Sequence, residues 1–275
     1  MTARANFREL IESPGDDFEL DRAALLIAAE EYPTLCVESY LKKIDRLAER
    51  VDSRLYGDAG PHETLTRMTQ VLVEEEGFSG NASQYHDPRN SFLNEVLDRH
   101  LGIPITLSTL YLEVARRIGF NLQAVGYPGH FLVKHASSEE EIVVDPFHGG
   151  SVLGPEELQS RLNTSFGGRV QHEPKLLRPT SRRMLLFRML GNLKSIYLRE
   201  RDSGRALAAV ERMLLLAPNT LGELRDRGVL LARLDRPLEA VRELSQYRQS
   251  APDAPDADDV DLLIEQLKTK IGMSN

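Results

Sequence analysis

The sequence predicts an α+β protein: a helical N-terminal region, a core with a small antiparallel sheet, and a C-terminal set of α-helical hairpins. Three observations lead there. Apolar residues recur at helical spacing through roughly the first 80 positions, they switch to short β-branched runs between 122 and 145, and beyond about 182 the sequence repeats with a period of 34. The expected division is 1–80 for helices packed on the core, 81–180 for the core itself and 181–275 for the repeats.

In the first region Asp21 is placed to cap a helix carrying Leu25, Leu26 and Ala29, which Pro33 closes. A second helix runs from about Cys36 to Val51 with Tyr40, Leu41, Ile44 and Leu47 on one side. A third, Pro61 to Glu76, opens with proline in its first turn and lines up Leu65, Met68, Leu72 and Val73. In the core, Asn90 or Ser91 can cap a short helix through Leu97, and Gly102 interrupts it. Pro104 then suits the first turn of a longer helix, Leu107, Leu110, Tyr111, Val114 and Ile118 give it an apolar face, and Gly119 can end it.

Strand signals follow at Leu122 to Tyr127, His130 to Lys134 and Ile142 to Asp145, separated by YPG and HASSEEE. A hairpin centred on Ser137 and Ser138 would set His130 opposite Asp145, close enough to hydrogen-bond. Farther on, Ala217-Pro218 recurs as Ala251-Pro252, Ala206 as Ala240 and Leu190 as Leu224, all at the tetratricopeptide period. Two such units need support from the preceding domain or from a last helix, Asp258 to Ile271.

The formal net charge of -8 gives a field that repels nucleic acid and anionic membranes, so neither is an expected partner. A mostly basic stretch, Arg169, Lys175, Arg178, Arg182, Arg183 and Arg188, reads as a solvated linker and helix start, with a surface for an acidic partner as the alternative. The N-terminus lacks the apolar core of a secretory signal, and the cytoplasm is the expected compartment. The single cysteine, Cys36, permits no internal disulfide and reads as a small buried hydrophobe rather than a displaced nucleophile.

The helix through Ser108 and Gly119, followed by GYPGHF and VVDPFHGG, resembles the transglutaminase-like (papain-like) core over roughly residues 80–165, and the whole chain, repeats included, resembles the SirB-type subgroup. The resemblance implies a site in which a helix N-terminus activates a cysteine, a histidine takes its proton and an aspartate orients the histidine. His130 and Asp145 match the second and third of these positions. Counting back from Gly119 by the family's usual spacing reaches Pro104 where the cysteine belongs, and proline has neither an attacking atom nor a backbone N–H. Thr106 and Ser108 carry hydroxyls within about a turn of it, and only one of them can point at His130, since a helix turns by about 100° per residue. Both hydroxyls are otherwise explained by bonds to a carbonyl one turn back.

The His130–Asp145 pair is equally accounted for as a hydrogen bond fixing a hairpin. A metal would recruit His148 or His86, but no tight ligand spacing such as HExxH is present, so neither metal nor cofactor is expected. Tyr85, Asn90, Asn94 and Gly129 are the candidate cleft residues, with helix capping as the plain explanation of Asn90. The expectation is a non-catalytic protein-binding or regulatory module whose protein or peptide partner meets the repeat surface and the core cleft. The alternatives are a hydrolase or acyltransferase on a peptide-like substrate, using Ser108 or Thr106 with His130 and Asp145, and an assembly factor for a larger complex. Sequence alone leaves the oligomeric state open.

Overall fold

The computed structural model describes residues 2–12, 15–137 and 141–273, and divides into two compact units with the break between Leu185 and Leu186. The fold is α+β, as the periodicities predict. Helices α1 (Ala3–Ile11), α2 (Leu20–Glu31), α3 (Val37–Asp52) and α4 (Pro61–Thr69) open the first unit, and a π-helical stretch, Gln70–Glu75, extends α4. Helix α1 carries only Phe7 and Ile11 as buried residues, too few to stand out in the sequence. Glu19, not Asp21, occupies the cap position of α2. Asp21 is instead buried at 1 % exposure and bonded to Arg117, so its charge serves a tertiary contact. Cys36 is the cap residue of α3 and is exposed, a correction to its reading as a buried hydrophobe.

Strand β1 (Ser79–Gly80) pairs in parallel with β2 (Leu101–Gly102), which leads directly into α6 (Pro104–Arg117); α5 (Leu93–Arg99) lies between the two strands in the chain. The sheet proper has the order β3 (Gln123–Val125), β4 (Leu132–Ala136), β5 (Glu141–Asp145) and β6 (Ser151–Leu153), antiparallel throughout. One face contributes Val125, Leu132, Val143 and Leu153 to a core shared with Leu158 and Leu162 of α7 (Pro155–Phe166). The alternate residues Ala124, Val133, Ile142 and Val144 are buried as well, and α6 contacts β3 and β4, so the sheet is covered on both sides.

The β4–β5 register is shifted by two residues from the expected one: Val133 faces Val144 and Ala136 faces Glu141. The run of small and acidic residues between these strands has no residue that dictates where the chain reverses. Of the expected turn centre, Ser137 and Ser138, the second lies outside the described residues. An even shift preserves which side chains share a face, so His130 and Asp145 still come together although His130 precedes β4.

Helix α8 (Arg182–Arg199) links the two units along the chain, and its first residues are not a free solvated start: the N–H groups of Arg182 and Arg183 donate to Asp16. The second unit continues with α9 (Ser203–Leu216), α10 (Leu221–Arg233), α11 (Pro237–Ser250) and α12 (Ala257–Met273), each packed on the next. Ala217 and Ala251 end α9 and α11, while Ala206 and Ala240 are fully buried, as a 34-residue repeat requires. Among the described residues no helix is long and apolar enough to cross a membrane.

Candidate functional site

The site grows from two turns flanking the β4–β5 hairpin. Tyr127-Pro128-Gly129-His130 closes with a bond from the His130 N–H to the Tyr127 carbonyl at 2.9 Å. Proline presets the second residue, and Gly129, at φ 71°, takes the left-handed third position that a side chain would resist. This turn delivers the His130 ring to Asp145 at the end of β5, Nε2 to Oδ2 2.9 Å.

Asp145 is fully buried and accepts from two sets of donors. Its Oδ1 caps the following 3-10 turn, taking the N–H groups of Phe147 at 3.0 Å and His148 at 3.2 Å. Its Oδ2 meets His130, His148 Nδ1 at 2.9 Å and Arg161 Nη2 at 2.8 Å. Burial alone would raise the carboxyl, but the His130 bond and the charges of His130 and Arg161, with the His148 bond, hold it below the usual carboxylate range. Tyr111 lies beneath the same turn, its phenol pushed up to about 12 by burial and by the charge of Asp145, against a hydrogen bond with Thr69.

Aromatic edges and close backbone contacts hold the cluster. Phe147 meets His130 edge-on at 5.9 Å between ring centres and Tyr85 at 6.1 Å. Gly80 lies so near this turn that a methyl group on it would come within 2.5 Å of the Phe147 carbonyl oxygen. Gly129, His130, His148 and Arg161 open onto a cavity of about 570 Å³, with β6 and α7 supplying further lining.

Of the predicted site residues, His130, Asp145 and Gly129 gather here, and Tyr85 stands at the edge with 39 % exposure. The others do not join them. Thr106 Oγ1 accepts from the Ile103 N–H at 3.1 Å and bonds to the Asn90 carbonyl at 2.8 Å, closing the first turn of α6. Ser108 is fully buried and directs its hydroxyl to the Phe131 carbonyl at 3.5 Å, across to the strand rather than one turn back. Both hydroxyls are thus engaged with backbone groups, Thr106 with Ile103 and Asn90 and Ser108 with Phe131.

Asn90 is buried too and caps no helix. Phe92 holds the cap position of α5, and the Asn90 amide donates to the Gln84 carbonyl at 2.7 Å and accepts from Asn81 at 3.1 Å, which fastens the loop before α5. Asn94 is 4 % exposed with its Oδ1 buried and unbonded, so it is not a lining residue of the open cavity. Pro104 is the first residue of α6, as its sequence position predicts.

Two contributors escaped the sequence analysis: Arg161, and the role of His148 as a direct partner of Asp145. Arg161 sits on α7, which was not anticipated. Its signals were present in Pro155 followed by Glu156 and Glu157, with Leu158 and Leu162 one turn apart. His130, Asp145 and His148 each offer a potential metal-donor atom within 4.8 Å of the other two.

Comparison with known proteins agrees with this architecture. The family model described as the transglutaminase-like superfamily matches residues 38–191, and one described as the tetratricopeptide repeat matches 193–265. A UPF0162 protein of Xylella fastidiosa is 37 % identical over 254 residues, covering 90 % of both chains. Protein SirB1 of Salmonella typhimurium is 26 % identical over 86 % of this chain and 90 % of its own. Human F-box only protein 21 shares 33 % identity over 147 residues, half of this chain but 22 % of that protein. No solved structure shows a significant match. The chain thus belongs to the transglutaminase-like superfamily, within its SirB1 and UPF0162 family, and carries tetratricopeptide repeats after the core.

Proposed function

We propose that this protein is a non-catalytic member of its superfamily that binds or regulates a protein partner. The observation that carries the reading is Pro104 at the head of α6, where the resemblance calls for a cysteine. A proline there supplies no nucleophile. The two nearby hydroxyls are buried and directed at backbone groups. The His130–Asp145 bond has a sufficient structural purpose, since it ties the turn before β4 to the end of β5. Tetratricopeptide repeats generally serve protein–protein contacts, and the repeat surface and, separately, the core cleft at Gly129, with Tyr85 near it against Phe147, are each proposed as a contact surface for a protein or peptide partner.

The test pairs turnover with affinity. Peptide amides and thioesters should not be hydrolysed or transferred by the full chain, and a partner identified by cross-linking in cell extract should bind His130→Ala within about threefold of the parent. Turnover that falls by orders of magnitude in both His130→Ala and Ser108→Ala, or in Thr106→Ala, would overturn the reading in favour of a hydrolase or acyltransferase.

A further inference from the structure

The hydrogen bonds around Asp145 contain a conflict that no placement of protons removes. His148 Nδ1 lies 2.9 Å from Asp145 Oδ2 and 3.0 Å from Nη1 of Arg161. The carboxylate only accepts and the guanidinium only donates. If Nδ1 carries a proton it satisfies Asp145 and turns that proton against Arg161. If it is bare it accepts from Arg161 and turns its lone pair on the carboxylate oxygen. The guanidinium bridges both groups, with Nη2 2.8 Å from the same Oδ2, yet its Nε is buried without a partner. A carboxylate oxygen and an imidazole lone pair directed at one cation, with a second imidazole beside them, is the donor chemistry of a metal site.

We infer that His130, Asp145 and His148 form a binding site for a divalent transition-metal ion of the zinc class, and that Arg161 occupies the cation's place in the metal-free chain. The spacing suits such an ion. Bonds of about 2.0–2.2 Å at angles between square and tetrahedral put neighbouring donors roughly 2.9–3.5 Å apart. Both imidazole-to-carboxylate separations are 2.9 Å. The two histidine donors lie within 4.8 Å, and the His148 side chain is 49 % exposed, so it has room to shift toward His130 once an ion replaces its contact with Arg161.

An ion would remove the conflict, because Nδ1 and Oδ2 would both direct lone pairs at it. Arg161 would then turn into the cavity it already lines with Ser160 and Thr164. Three protein donors leave coordination positions open, and His130 and His148 both border that cavity. A resident ion is compatible with a binding role and with a hydrolytic one.

The experiment uses the full chain carrying Cys36→Ser, which deletes the exposed thiol as a rival ligand. Metal-free protein is titrated with Co²⁺, read by visible absorption and by equilibrium dialysis, and then challenged with Zn²⁺. One equivalent of Co²⁺ should bind and be displaced by Zn²⁺. His148→Ala, whose side chain is half exposed and whose fold is checked by circular dichroism, should weaken binding beyond the roughly 10–100-fold cost of losing a supporting group. Arg161→Met should tighten it by about tenfold or more, since it removes the competing charge. His62→Ala, at an exposed position, should leave it unchanged. Failure to bind one equivalent in both the Cys36→Ser chain and its Arg161→Met derivative would overturn the site, as would binding that His148→Ala does not affect.

Discussion

Two buried carboxylate clusters in the first unit respond to burial in opposite ways. Asp145 stands alone among five donor contacts and is held below its ordinary range. Glu113, on α6, lies beside a second carboxylate, Asp21 of α2, and the two share the guanidinium of Arg117, which reaches Glu113 at 2.9 Å and Asp21 at 2.6 Å, while Arg116 adds a 2.9 Å contact to Glu113. Burial and the charge of Asp21 push Glu113 up to about 7, in spite of Arg116 and Arg117. Depth therefore does not decide the charge state. The number of donors per carboxylate and the presence of a like charge do.

The comparison breaks most sharply at Asp145. Asp145→Ala leaves two backbone N–H groups and a half-buried arginine without their acceptor, and should cost about 3–5 kcal/mol in urea unfolding. Arg117→Met should cost less, about 2–3 kcal/mol, because Glu113 can take up a proton in response. The pH dependence of the two clusters should differ in sign. The raised value of Glu113 means that its stabilising contribution is complete below its ordinary 4.5 and is lost as pH rises through about 7. Asp145, lowered from an ordinary 3.8, contributes above that value and loses its contribution as pH falls through its folded value. Unfolding curves at pH 5 and pH 8 check this: Glu113→Gln should be close to the parent at pH 5 and more stable than it at pH 8. The smallest effect belongs to Arg161→Met, below about 1 kcal/mol without metal, because Asp145 keeps four other donor contacts.

The same contrast separates what the sequence made legible from what it did not. The repeats could be read from alanines and prolines at a fixed interval, since each copy solves the same packing problem with the same small residues. Helix α6 announced itself by Pro104 at one end and Gly119 at the other. His130 and Asp145 met in spite of a misplaced hairpin register, because a two-residue slip keeps side chains on their face. Asp21 and Asn90 were harder. Both residue types cap helices, and only the tertiary structure shows them buried, Asp21 spent on the distant Arg117 and Asn90 on the loop before α5. Arg161 was hidden because an arginine on an unrecognised helix is one charge among many, and its 16-residue separation from Asp145 carries no motif.

The closeness of Gly80 to Phe147 has a mechanical consequence. The loop that bears His148 is backed at Phe147 by the Gly80 peptide and at Gly150 by the Thr69 and Tyr111 side chains, so a guest that presses the loop inward at Phe147 pushes on β1. Strand β1 is tied to β2, and β2 runs straight into the start of α6. Pressure on one imidazole would thus be felt two strands away, at the helix end that begins with Pro104.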